Sequence, residues 1–204
     1  DLSKISVIVG RGGVLKPIKS GVYEVNKAMI HDLTIGVGGE HASKLGGLIA
    51  SNMASEIPGC KAYIADPVVV DELSDVARVS GHPLLPKVSI FHALNQKAIA
   101  KMYASSEGKD YHSLRLIVAH LGGGVSVGAH LYGKVVDVNN ALNGEGPFSP
   151  ERSGTLPAYA LAELCFSGKY TLSEVKKMIT GEGGVVAHLG TNSFNVVEQK
   201  VSEG

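Results

Sequence analysis

Two of the chain's four arginines stand in glycine-flanked polar loops, Arg11 in "GRGG" and Arg152 in "ERSG". A guanidinium is permanently charged and grips oxyanions through paired N–H donors, so an arginine set in such a loop suits a carboxylate or a phosphate. The ordinary alternative is a solvated surface arginine, and Arg78 and Arg115 have no context beyond that. Between the two loops lies "HLGGGVSVG", His120 to Gly128. Amides around successive glycines can converge on an anion, because no Cβ blocks the approach and positive φ is open to them. A tight hairpin turn explains the same glycines equally well. Four more polar side chains sit where they could touch a ligand: His41 in "GEHAS", Asp66 before Pro67, His92 in "FHALNQK", and Glu151 beside Arg152. Each has a plain alternative. His41 and His92 could cap or pack at helix starts, Asp66 could be a turn acid, and Glu151 could orient Arg152 or face water. The remaining histidines have no metal-ligand spacing.

The elements that must carry these residues read as α/β. Ile5–Val9 is a β-branched run closed by the glycines, as in a buried strand, and "KAYIAD" (Lys61–Asp66) is a second short strand. Helical periodicity covers about 25–33, 41–57 and 91–105. Leu45, Leu48, Ile49 and Met53 form one apolar stripe, and Phe91, Leu94, Ala98 and Met102 another. Leu116–Ala119 is continuously apolar, the pattern of a strand covered on both faces. Val125, Val127, Ala129 and Leu131 alternate with Ser126, Gly128 and His130 before "YGK" turns the chain into "VVDV", a hairpin by periodicity. Helices return from Pro157 to Phe166 and from Leu172 to Ile179. The glycine loop is therefore strand–glycines–strand. It lacks the Lys-Ser/Thr of a P-loop, and it does not open a helix as a dinucleotide fingerprint must, which argues against a dehydrogenase. The loop Asn139–Pro157 is polar and rich in glycine and proline, and long structured loops of this kind are disproportionately functional.

The 204 residues carry 19 basic and 19 acidic side chains, which removes the electrostatic case for nucleic acid or an anionic membrane surface. No apolar run reaches the ~20 residues of a membrane span. Cys60 and Cys165 suggest neither a disulfide framework nor a metal knuckle, as in a reducing, cytoplasmic setting.

Several stretches in order, "GRGG", "GGEHASKLGGLIA", "ADPVVVDELSDVARVSGHP", "SIFHALNQKAIA" and "VAHLGGGVSVGAHLYGKVVDVNNALNGEGPFSPERSGTLP", resemble the butyrate kinases, acyl-kinase relatives of the acetate kinases. The resemblance spans essentially the whole chain. It implies an α/β, two-lobed fold of the actin/Hsp70/sugar-kinase type. The N-terminal lobe would cover residues 1–72 and the C-terminal lobe residues 73–204. The reaction implied is transfer of a phosphoryl group from ATP, with Mg²⁺, to butanoate; acetate or propionate is the alternative acceptor.

By that resemblance Arg11, Asp66, His92 and Arg152 are catalytic, His120, Leu121, Gly122, Gly123 and Gly124 hold the ATP phosphates, and Arg11 and His41 receive the carboxylate. A phosphate-binding loop expected near the start of such kinases and an adenosine segment expected near their end are not in these 204 residues. The expectation is thus a central portion of a kinase, both lobes incomplete, with Mg²⁺ ligands outside it. A non-catalytic phosphate- or acyl-binding fragment is the competing reading. The expected partners are ATP and a small carboxylate, with no nucleic acid and no membrane, in a homo-oligomer.

Overall fold

The computed structural model describes residues 1–39 and 41–203, in two compact units. One comprises Asp1–Val118 and Ala129–Val138; the other comprises Ala119–Gly128 and Asn139–Gly204. The limits of these units fall elsewhere than the lobe division expected after Glu72. Leu73, Phe91 and Ala93 pack in one apolar cluster with Val70, Val135 and Val138, so the chain on both sides of residue 72 shares a core.

In the first unit β1 (Val7–Arg11), β2 (Val22–Glu24) and β3 (Lys61–Ala65) form a sheet of order β1-β3-β2. β1 runs parallel to β3, from Val7 opposite Lys61 to Arg11 opposite Ala65, and β2 returns antiparallel with Val22 opposite Ala65. Helix α1 (Lys27–Ile35) starts where the Asn26 side chain accepts from the Met29 N–H at 2.9 Å, and it ends at Gly36 with φ 67°. Helix α2 (Lys44–Ser55) then packs on β1 and β3.

The face of α2 turned inward is not the bulky stripe expected from periodicity. Gly47, Ala50 and Ala54 are buried, whereas Leu45, Ile49 and Met53 are exposed. The crossing is too close for large side chains, since a Cβ at Gly46 would overlap the Arg11 carbonyl and one at Gly10 would overlap the Gly46 carbonyl. Helix α3 (Ala93–Ser106) departs in the same way: Ala93, Gln96, Lys97, Ala100 and Ala104 are buried, while Leu94 and Met102 are exposed. The two strands expected to be covered on both faces are also corrected. Exposure alternates along β1 and along β4 (Arg115–Leu121), with Ile117 at 73%.

β4, β5 (Val125–Leu131) and β6 (Lys134–Val138) lie in that order in a second sheet. The expected hairpin is present, its two-residue turn made by Tyr132 (φ 50°) and Gly133 (φ 84°), the mirror-image geometry that suits strand twist. The buried face of β5 is its polar one. His130, 2% exposed, joins Tyr111 Oη to Nδ1 at 2.7 Å and Nε2 to Gln96 Oε1 at 3.0 Å. With Gln96 Oε1 accepting, Nε2 carries the proton and the tyrosine hydroxyl donates. Beside it the buried Lys97 ammonium meets Glu72 Oε2 at 2.8 Å and the Gly133 carbonyl at 3.1 Å, and Glu72 also accepts from the Val135 N–H at 2.9 Å. This network ties α3 to the hairpin and to the chain after β3.

In the second unit, helices α4 (Ala158–Phe166) and α5 (Leu172–Ile179) begin and end where periodicity places them; α6 (Val185–Leu189) and α7 (Phe194–Glu203) follow. α5 opens on a capping box, with Thr171 Oγ1 accepting from Glu174 N and the Glu174 carboxylate accepting from Thr171 N.

Burial, and secondarily the Lys97 charge, lowers the His130 pKa from its ordinary 6.5 to about 4, with Glu72 opposing. An unfolded chain takes up this proton as pH falls through 6.5, and the folded one only near 4. Stability is therefore lost over that window as pH falls, by about 2–3 kcal/mol at pH 4.5. Denaturant titrations at pH 7.5 and 4.5 should show that loss in the native protein and a smaller one in His130→Gln.

Candidate functional site

Arg11 and Asp66 come at the carboxyl ends of the adjacent parallel strands β1 and β3, where α/β proteins place ligands. Arg11 is exposed, and among the described residues its guanidinium makes no hydrogen bond or ion pair. Gly12 and Gly13 hold the chain after it tightly, because a Cβ at Gly12 would overlap Pro67 and one at Gly13 would stand 2.7 Å from Lys44 Cα. Asp66 has φ 36°, a region that non-glycine residues rarely enter. Its Oδ1 accepts from Ser20 Oγ at 2.6 Å and from Gly21 N at 2.8 Å. It is a half-buried turn acid, followed by the Val70 N–H to Pro67 carbonyl bond at 2.9 Å, and no helix cap.

His92 stands immediately before α3 but its side chain does not cap that helix. The Phe91 N–H donates to the Val68 carbonyl at 3.1 Å and Ser89 Oγ to the Val70 carbonyl at 2.7 Å, which brings the start of α3 beside the segment following Asp66. His41 lies in the turn that leads into α2. Its Nδ1 accepts from the Ser43 N–H at 3.2 Å and lies 2.8 Å from Ser43 Oγ, shaping the turn into α2 and leaving Nε2 to carry the proton. The first unit thus puts Arg11 and Asp66 at one sheet end, with His92 at the start of α3 and His41 in the turn that leads into α2.

In the second unit the glycine loop follows the end of β4. None of Gly122, Gly123 and Gly124 has positive φ, so the three are not there for their dihedrals. Space is what they supply. A Cβ at Gly124 would stand 2.7 Å from Arg152 Nη1, and one at Gly122 3.0 Å from His120 Nε2. The Arg152 guanidinium therefore lies directly on the last glycine, with its Nε buried and without a hydrogen-bond partner. A buried donor with no acceptor costs free energy, and an anion brought there would supply the acceptor.

The arginine is fixed from several sides. Ser149 N–H donates to the Arg152 carbonyl at 2.9 Å, while Ser149 Oγ accepts from Arg152 N–H at 3.1 Å and donates to the Gly123 carbonyl at 2.7 Å. Gly184, φ 68°, lets the backbone of 149–152 approach so closely that a side chain there would overlap the Ser149 carbonyl. Sequence reading missed Ser149, although a serine three residues before the arginine in a glycine-rich loop is the signal that could have found it. Glu151 does not pair with Arg152. Its Oε1 accepts from Asn192 Nδ2 at 2.6 Å, and its Oε2 is 3.8 Å from where a Gly123 Cβ would stand. Leu121 is exposed, so in this loop only its backbone suits an anion.

Among the described residues no group of three or more His, Cys, Asp or Glu side chains could hold a metal ion, so these residues do not fit a Mg²⁺ site. No helix among them is long and apolar enough to cross a membrane.

The fold is that of carboxylate kinases of known structure. It matches the Porphyromonas gingivalis acetate kinase with a TM-score of 0.82 at 20% identity, over 98% of this chain and 53% of that one. A Francisella tularensis propionate kinase matches with a TM-score of 0.76 at 19% identity, over 100% of this chain and 55% of that one. The expected class, a partial α/β fold of the two-lobed sugar-kinase type, is thereby shown. The chain belongs to the acetokinase family, whose profile matches residues 89–204. It is 61% identical over its whole length to butyrate kinase 2 of Clostridium acetobutylicum and 60% identical over 197 residues to a probable butyrate kinase of Phocaeicola vulgatus. It spans 57% and 55% of the length of these two relatives.

Arg152 is held by its backbone, and its Nε is already unpartnered. Arg152→Met should thus leave stability within about 1 kcal/mol of the native protein in denaturant titration. Inorganic phosphate should raise the melting temperature of the native protein and lose that effect in the variant.

Proposed function

We propose that the full-length protein is a short-chain carboxylate kinase that converts butanoate and ATP into butanoyl phosphate and ADP. One observation supports it above the others: a buried arginine donor without an acceptor, laid on the glycine loop that would receive the phosphates. The whole-length similarity to butyrate kinases favours butanoate over acetate or propionate.

The chemistry asks little of acids and bases, because a carboxylate is already ionised at neutral pH. A carboxylate oxygen attacks the γ-phosphorus in line, the bridging bond to the β-phosphate breaks, and ADP leaves with that electron pair. What the protein must supply is alignment of two mutually repelling anions and neutralisation of charge on the phosphoryl group in transit. In this reading Arg11 and His41 receive the carboxylate. His92 donates to the transferring group, Arg152 spans its oxygens, and Asp66 orients the reactants. The backbone from His120 to Gly124 holds the ATP phosphates. Mg²⁺, when bound, neutralises phosphate charge; its ligands belong to parts of the protein outside these residues. A cytoplasmic homo-oligomer completes the proposal.

The test is ATP-dependent acyl-hydroxamate formation by the full-length protein with butyrate, isobutyrate and acetate, with Arg152→Ala as control. Turnover that prefers butyrate and falls by at least ~10²-fold in the control is expected, the scale for losing one charge-stabilising group. Preference for acetate would replace the acceptor, and absence of turnover with all three acids would leave a binding protein of the same fold.

A further inference from the structure

Asp66 combines three features that are costly or unusual apart. Its backbone is held at φ 36°, a strained region for a residue with a side chain, which persists only where the surroundings over-determine it. Both hydrogen bonds to its carboxylate reach the same oxygen, Oδ1, at 2.6 Å from Ser20 Oγ and 2.8 Å from Gly21 N. Among the described residues no basic side chain pairs with it, and Oδ2 has no hydrogen-bond partner. A turn acid with a purely structural role commonly uses its carboxylate on its own turn. Here the anchoring groups lie 45 and 46 residues earlier in the chain.

The anchoring segment is itself pinned on both sides of Ser20. Before it, Ile18 bridges Val70, with Ile18 N–H to the Val69 carbonyl at 3.3 Å and Asp71 N–H to the Ile18 carbonyl at 2.9 Å. After it, Val22 pairs with Ala65 in the sheet, and the Asp66 N–H donates to the Gly21 carbonyl at 2.9 Å. The Ser20 hydroxyl is therefore presented from a backbone stitched to the very segment that carries Asp66. The carboxylate is gripped through one oxygen and left open at the other.

We propose that Ser20 is a positioning residue for the transfer reaction, holding the Asp66 carboxylate by Oδ1 so that Oδ2 is left to the reactants. This rests on the kinase reading above. Sequence gave no hint of it, since "IKSGVY" looks like an ordinary turn before a short strand.

The experiment compares Ser20→Ala, Ser20→Thr, Asp66→Asn and the double variant Ser20→Ala/Asp66→Asn in the full-length protein, by kcat, by KM for each substrate, and by melting temperature. Ser20→Ala is expected to lower kcat about tenfold with both KM values within about twofold, the signature of an interaction used in the transition state. Ser20→Thr, which keeps the hydroxyl, should restore most of it. In the Asp66→Asn background Ser20→Ala should cost nothing further. Unchanged kcat in Ser20→Ala, no rescue by threonine, or additive losses would overturn the proposal. A crystal structure of Ser20→Ala separates this from failure of the kinase reading. An Asp66 carboxylate that keeps its orientation sinks the positioning role whether or not the protein turns over any carboxylate. A rotated carboxylate in a protein without turnover keeps the anchoring and removes only the reaction.

Discussion

Backbone brought against backbone where no side chain fits is the constraint on which the rest of the structure depends. In the first unit it is the crossing of α2 over β1, where Gly10 and Gly46 let a helix rest on a strand with only hydrogen atoms between. That contact fixes the end of β1, and with it Arg11, against the end of β3 and Asp66. In the second unit Gly184 admits the 149–152 backbone, and Gly124 admits the Arg152 guanidinium. A Cβ at any of these positions would overlap the neighbouring backbone or side chain, which would have to shift. The glycines thus set the backbone that carries Arg11 and the place of the Arg152 guanidinium.

This arrangement separates two kinds of polar group. Lys97, His130, Gln96 and Tyr111 are buried, Glu72 is partly so, and they are satisfied by one another or by the hairpin backbone. Arg11, Asp66 Oδ2 and Arg152 Nε lack such partners among the described residues. Satisfied networks rigidify, whereas unsatisfied donors and acceptors held on rigid backbone represent capacity for a ligand. The division follows the sequence segments. Asp66 and Glu72 sit six residues apart on one stretch, the first with an open oxygen and the second locked to Lys97 and Val135.

Much of the fold was legible because it rests on local signals. The Tyr132-Gly133 turn, the starts of α4 and α5 and the strand–glycines–strand loop follow from turn chemistry and periodicity. Which face of a helix is buried was not legible. Apolar moment points to Leu45, Ile49 and Met53 on α2, yet the buried stripe is Gly47, Ala50 and Ala54, because the neighbour is a strand at backbone distance. On α3 and β5 the inward residues include Gln96, Lys97 and His130, polar groups that patterning assigns to water and that only their mutual pairing allows inside. Residue type and glycine context single out Arg11, Asp66 and Arg152 as candidates. Their supports, Ser20 and Ser149, act through single hydroxyls; Ser149 is marked by its place three residues before the arginine, whereas Ser20 has no distinguishing spacing.

Those hydroxyls share a physical logic that the charged groups cannot supply for themselves. A carboxylate or guanidinium on a flexible stem loses rotamer entropy when a ligand orders it, and that loss subtracts from binding or from the barrier reduction. Ser149 meets the problem by joining the Arg152 N–H and the Gly123 carbonyl through one oxygen, so that arginine loop and glycine loop move as one piece. Ser20 meets it by fixing one carboxylate oxygen while leaving the second free. In both cases the neutral hydroxyl adds no charge that would compete with an incoming anion, as a lysine or glutamate at the same place would. The ordering of the Asp66 carboxylate and of the Arg152 loop is thus completed during folding.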